Sequence, residues 1–158
     1  MEIAYARTAG AHIAYRLDGD PDGPALVYLR AGPISIDSFD DEPRVGAFFR
    51  RLGSFAQVIR VDPRGVGLSD PLDGEVTVDG MARDALAVVD AVGVERFAVL
   101  GEMSGGPVAI ALAAAAPARV GALVLVNTYA RVIRDDADDY PYGHPPELVD
   151  AFLQQNFD

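Results

Sequence analysis

The sequence predicts an α/β fold: a three-layer α/β/α sandwich around a mostly parallel sheet, entered through an antiparallel β-hairpin. Two observations carry this. Short apolar runs (ALVYL at 25–29, QVIRV at 57–61, FAVLG at 97–101, ALVLV at 122–126) alternate with stretches of helical apolar spacing. Such runs suit strands covered on both faces, and strand–helix alternation winds a parallel sheet through right-handed crossovers. The chain also has 158 residues, half of them hydrophobic, which is a single-domain length with enough apolar surface for a core.

Each element has its own signal. Glu2–Arg7 and His12–Leu17 alternate apolar and polar residues about Ala9-Gly10, the pattern of a hairpin with one solvated side. Asp18–Pro24 is a loop by composition, Ala25–Leu29 a buried strand, and Ala31–Pro43 irregular. Arg44–Gly53 has helical spacing through Val45, Phe48, Phe49 and Leu52. Gln57–Val61 is the next strand, and Asp62–Pro71 a turn-rich loop. In Thr77–Val92 the residues Val78, Met81, Ala82, Leu86 and Val89 share a helical face, with Thr77 or Asp79 as cap. Phe97–Gly101 is a strand, Ser104–Ala116 a helix stopped by Pro117, and Ala122–Val126 a further buried strand. From Tyr129 the chain turns polar and proline-rich before a helix predicted at Glu147–Phe157.

Composition excludes several classes. A net charge of −11 lacks the basic face that nucleic acid or an anionic membrane needs. With no Cys, disulfides, thiolate catalysis and zinc–sulfur sites are out. The first ten residues lack a signal-peptide pattern. The most apolar window, Gly105–Asn127, is interrupted at Pro117 and Arg119, short of the roughly 20 residues a membrane span needs. The expectation is a cytoplasmic protein with no cofactor and no metal. The acidic run Asp135–Asp139 lacks the regular oxygen spacing of a calcium loop.

The segment FAVLGEMSGGP at 97–107 concentrates the chemistry. A strand meets a helix there through Gly101, Gly105 and Gly106. In a Gly-x-Ser-x-Gly strand–helix corner, the central residue is strained outward and its neighbours two positions away must be small. Met103 as centre puts Gly101 and Gly105 on the flanks. Ser104 as centre would put Glu102 where there is no room for a side chain. The Met103 register is therefore preferred, and a thioether has no ionisable proton with which to attack a carbonyl. The spacing fits neither a dinucleotide fingerprint nor a Walker loop.

Three motifs in order resemble the α/β-hydrolase family over about residues 10–135. LVYLRAGP is similar to the third strand and oxyanion loop, VIRVDPRGVGLSD to the segment after the fourth strand, and the run from VLGEMSGGP to NTYAR to the elbow, its helix and the sixth strand. A closer resemblance is to the hydrolase-like domains that precede class III adenylate cyclase catalytic domains, carried by IDSFDDEP, the Gly105-Gly106-Pro107 triplet and NTYAR. The resemblance implies that Met103 stands at the nucleophile position. It also implies that the Ser104 N–H is one oxyanion donor and that the second donor, just past Ala31-Gly32, falls on Pro33, which has no N–H. The triad acid and His would follow later strands. His12 on the hairpin and His144 in YPYGHPPE read as solvated residues, not catalytic bases.

The expected organisation is a partial hydrolase core over 1–130, truncated after about the sixth strand, and the start of a cap or lid over 131–158. The backbone of Gly32, Gly101, Gly105 and Gly106 would line the site. Asp62 and Arg64 are expected to brace their loop, and Asp84 and Asp90 to lie on the wet side of their helix. The expected function is a degenerate, non-catalytic module that is regulatory or binds a small apolar ligand. The alternative is a serine-hydrolase-type esterase or lipase relative, as a fragment or using Ser104. Self-association is expected through the open edge of the last strand, or completion by a missing carboxy-terminal part.

Overall fold

A computed structural model describes residues 2–32, 34–72, 74–75, 77–134 and 143–157. Two compact units result, 1–128 and 129–158.

The first unit is a six-stranded sheet in the order β1-β2-β4-β3-β5-β6. The strands are β1 (Ile3–Thr8), β2 (Ala11–Gly19), β3 (Ala25–Ala31), β4 (Gln57–Val61), β5 (Phe97–Met103) and β6 (Val120–Val126). β1 and β2 form the hairpin, β2 pairs antiparallel with β4, and β4, β3, β5 and β6 run parallel. Three helices flank the sheet: α1 (Pro43–Gly53), α2 (Val78–Val92) and α3 (Gly105–Ala115), with a short 3₁₀ turn at Ser38–Asp41 inside the stretch expected to be irregular. Local chemistry explains the helix ends. The Glu42 carboxylate accepts from the Val45 N–H ahead of Pro43, Thr77 accepts from the Gly80 N–H, and Gly93 closes α2 with a left-handed φ of 81°.

Alternation along the strands sorts the side chains onto two faces. Ile13, Val27, Leu29, Ile59, Val61 and Val99 pack with Val88, Val89, Ala109 and Leu112 of α2 and α3. Leu26, Tyr28, Val58 and Leu100 pack on the other face with Ile36, Phe39 and Phe49. Each fully buried Val, Leu or Ile is worth about 1.5–3 kcal/mol.

Three expectations change. Alternation in the hairpin implies one solvated side, but β2 is largely buried because α1 and α2 both pack against it, and Arg16 and Asp18 go inside with it. On α2, Val78 is exposed while Asp84 is buried. Met81, Ala82, Leu86 and Val89 stay on the core side, and Asp84 joins them because it receives Arg64 (Nε 3.1 Å, Nη2 2.8 Å) and the Thr8 hydroxyl (3.0 Å). Asp90, by contrast, is on the wet side, bonded to Arg119 at 2.6 Å. Finally, β6 forms as a strand but is not buried. Among the described residues it is the sheet edge, and Leu123, Val124, Leu125 and Val126 are exposed on both faces.

In the second unit, Ile133 and His144 form a parallel bridge, with the Arg134 N–H donating to the His144 carbonyl at 2.9 Å and the His144 N–H to the Val132 carbonyl at 2.8 Å. α4 spans Pro146–Phe157. The run Asp135–Asp139 lies outside the described residues. No helix among the described residues is long and apolar enough to cross a membrane.

Candidate functional site

The sharp corner sits between β5 and α3. Met103 has φ 50°, a left-handed conformation that is uncommon for a side chain of its size and costs on the order of 1 kcal/mol or more. Ser104, the next residue, has an ordinary helical φ of −70° and forms the N-cap of α3 without a side-chain capping bond. The turn is thus centred on Met103, a residue 43% exposed.

The flanking glycines explain how so tight a turn closes. A Cβ at Gly101 would lie 2.7 Å from the Ala109 Cβ and 3.0 Å from the Gly106 Cα, and one at Gly105 would overlap the Leu29 carbonyl. Strand and helix backbones touch, so only glycine fits. Behind the corner the Thr128 hydroxyl donates to the Met103 carbonyl and fills the space over Gly106. Thr128 comes directly after Asn127, itself at a left-handed φ of 47°. The turn is therefore held by Thr128, two residues past the end of β6.

Parallel pairing of β3 with β5 brings the oxyanion-loop segment alongside: Leu29 opposes Gly101, Arg30 opposes Glu102, and Ala31 opposes Met103. Gly32 leaves the strand at φ 148°. Pro33 lies outside the described residues. Asp62 anchors the loop beyond it. The Asp62 carboxylate accepts from the Ile36 N–H (2.8 Å), the Leu68 N–H (2.9 Å) and the Ser35 hydroxyl (3.1 Å), tying the loop after β3 to the loop after β4. Burial nonetheless pushes the Asp62 carboxyl above its usual value, outweighing those hydrogen bonds. Arg64, through Asp84, ties the same β4 loop to α2.

The remaining polar groups at the corner are Arg30, Glu102 and Tyr28. The buried Tyr28 hydroxyl donates to the Glu102 carboxylate, and burial together with that carboxylate pushes the phenol well above its ordinary pKa. The Arg30 guanidinium lies 5.6 Å from the Phe39 ring centroid, with Nη2 3.9 Å from the Met103 sulfur. The cavity behind the corner, lined by Leu29, Arg30, Gly105 and Val108 among others, holds only about 20 Å³. That is room for about one water.

His12, in the same unit, does not belong to this constellation. His12 bonds Asp70 through its ring (3.1 Å) and its backbone N–H (2.8 Å), which holds the exposed Asp70 carboxyl below the usual range. His144 makes the backbone bridge of the second unit. No group of three His, Asp or Glu side chains among the described residues is placed to hold a metal. Sequence reasoning missed Arg30 and the Tyr28–Glu102 pair. The only signal was a charge at the end of the apolar run ALVYL, next to a glycine loop. Thr128 had no local signal, since its role depends on the β5–β6 pairing.

Comparisons with known proteins agree with this architecture. The family model described as "alpha/beta hydrolase fold" matches residues 24–156. A putative carbamate hydrolase RutD of Variovorax paradoxus is 37% identical over 140 residues, covering 88% of this chain and 47% of that protein. A non-heme chloroperoxidase of Streptomyces lividans is 33% identical over 144 residues, covering 90% of this chain and 50% of that protein. Among solved structures, a hydrolase from Pseudomonas aeruginosa superposes with a TM-score of 0.74 at 32% identity, covering 96% of this chain and 53% of that one. The chain spans about half the length of the curated relatives it matches.

Proposed function

The chain belongs to the α/β-hydrolase fold family, and from that premise we propose that its elbow is a non-catalytic, small-ligand-binding site. One observation carries the reading. The residue in the strained, outward-facing position is Met103, whose thioether is neither a nucleophile for acyl transfer nor a proton donor. Ser104 is one position on, in helical backbone at the N-cap of α3. On this reading the Ser104 N–H faces the ligand, Gly32, Gly101, Gly105 and Gly106 supply close backbone, and residues 131–158 begin a cap. A regulatory role like that of cyclase-associated hydrolase domains draws its support from IDSFDDEP and Gly105-Gly106-Pro107 in the sequence. A cytoplasmic setting and self-association through β6 belong to the same proposal.

A second reading, a serine-hydrolase-type enzyme acting through Ser104, is favoured by the hydrolase names of the relatives. A fluorophosphonate probe separates the two. The expected result is an unchanged intact mass after incubation. An adduct mapped to Ser104 would overturn the non-catalytic reading.

A further inference from the structure

Arg30 and Glu102 are directly opposed on β3 and β5. Opposed residues of adjacent strands share a face, so these opposite charges are near enough to pair. Here they do not. Glu102 is taken by the Tyr28 hydroxyl. The Arg30 guanidinium makes no ion pair among the described residues. Its contacts are the Phe39 ring and the weak acceptor sulfur of Met103. A half-buried cation with most of its donors unspent therefore stands beside the residue that the fold projects outward, in a chain whose net charge is −11.

We infer that the ligand of this elbow is a small carboxylate. The Arg30 guanidinium takes the carboxylate in its planar fork, and the Met103 thioether lies against the ligand's apolar part. A guanidinium matches a carboxylate with two parallel N–H···O bonds, and partial burial strengthens them by reducing competition from water. Met is unbranched and polarisable, so it moulds to varied apolar groups. The cavity of about 20 Å³ lined by Arg30 and Gly105 is too small for such a ligand, so the ligand would lie at the surface beside the exposed Met103. This inference rests on the non-catalytic reading of the same site.

The test is a titration of the full chain carrying methyl-labelled methionine, monitored by NMR. Butyrate is the probe, butyramide is its neutral isostere, and the Met103 methyl signal is assigned by its loss in Met103→Leu. Butyrate is expected to move that signal saturably, and butyramide to leave it in place. Arg30→Gln is expected to weaken butyrate binding by about tenfold or more, the loss of roughly one charge-assisted contact, with Arg30→Lys falling between. Three results would overturn the inference: no movement up to about 50 mM butyrate, equal movement with butyramide, or unchanged binding in both Arg30 variants. Arg30→Lys keeps the charge and the stem, so it decides the matter should Arg30→Gln fold poorly. Failure of the underlying reading looks different. Release of nitrophenolate from p-nitrophenyl butyrate, with an adduct on Ser104, would show a catalytic elbow whatever the butyrate titration gave.

Discussion

The two faces of the sheet are built on different physics. Beneath α2 and α3 the fully buried side chains are aliphatic: Ile13, Val27, Ile59, Val88, Val99 and Leu112. Beneath α1 the sheet carries aromatic rings and a closed ring of charges. Arg16 reaches Asp18 (2.9 Å) and Asp40 (2.7 Å), and Arg60 reaches Asp18 (2.6 Å) and Asp40 (3.4 Å). Arg60 is completely buried and lies 4.3 Å from the Phe49 ring centroid, while its Nη1 finds no acceptor among the described residues. The aliphatic face gains free energy without direction. The charged face gains little net free energy, because desolvation cancels much of the attraction. What it supplies is register. Arg16 and Arg60 are cross-strand partners in the antiparallel β2–β4 pair, and a slip of one residue between the strands would part Arg60 of β4 from Asp18 of β2.

Three measurements would break or sharpen this contrast. The largest effect is expected from Arg60→Met, which keeps most of the volume and removes the charge. Asp18 is left with half its partners in a buried site, and the loss is expected at about 3–5 kcal/mol in urea denaturation. A loss below about 1 kcal/mol would mean that the ring holds nothing in place.

Leu112→Ala on the aliphatic face is expected to cost about 3 kcal/mol, from lost burial and the cavity it leaves. This loss should not change with pH. A pH-dependent loss there would show that the faces are coupled.

The smallest effect concerns Asp40. Burial acts to raise its carboxyl, but the Arg60 and Arg16 guanidiniums outweigh it and hold the group below the usual range. A depressed folded pKa contributes stability that is complete above the unfolded value near about 4 and fades as pH falls through the folded value. Asp62 works in the opposite sense, since its raised carboxyl favours the protonated fold just above that window. Asp40→Asn should therefore flatten the acid limb of the stability–pH curve below about pH 4 and leave the rest of the curve parallel to wild type. An acid limb identical to wild type would remove Asp40 from the ring's electrostatics.

Much of this was legible from residue order. Strand and helix periodicities placed nearly every element, and the spacing of Gly101 and Gly105 put the turn on Met103, because the demand for a missing side chain is local and steric. The burial of Asp84 was not legible, because it depends on Arg64, which arrives from a loop 20 residues earlier. Helical spacing cannot register a partner outside the helix. The exposure of β6 was hidden for another reason. An apolar run states that a strand can be buried, not which neighbour covers it.

The sequence by itself determined the α/β architecture, the corner at 101–106 and the thioether at its centre, since these come from periodicity and from the size of single side chains. Only the tertiary structure decided which charges neutralise one another. Arg16, Arg60, Asp18 and Asp40 close into a ring, Asp84 goes inside, and Glu102 turns to Tyr28 and leaves Arg30 beside Met103. Ion pairing depends on distances of a few ångströms between residues far apart in the chain, and pairing of strands and docking of helices set those distances.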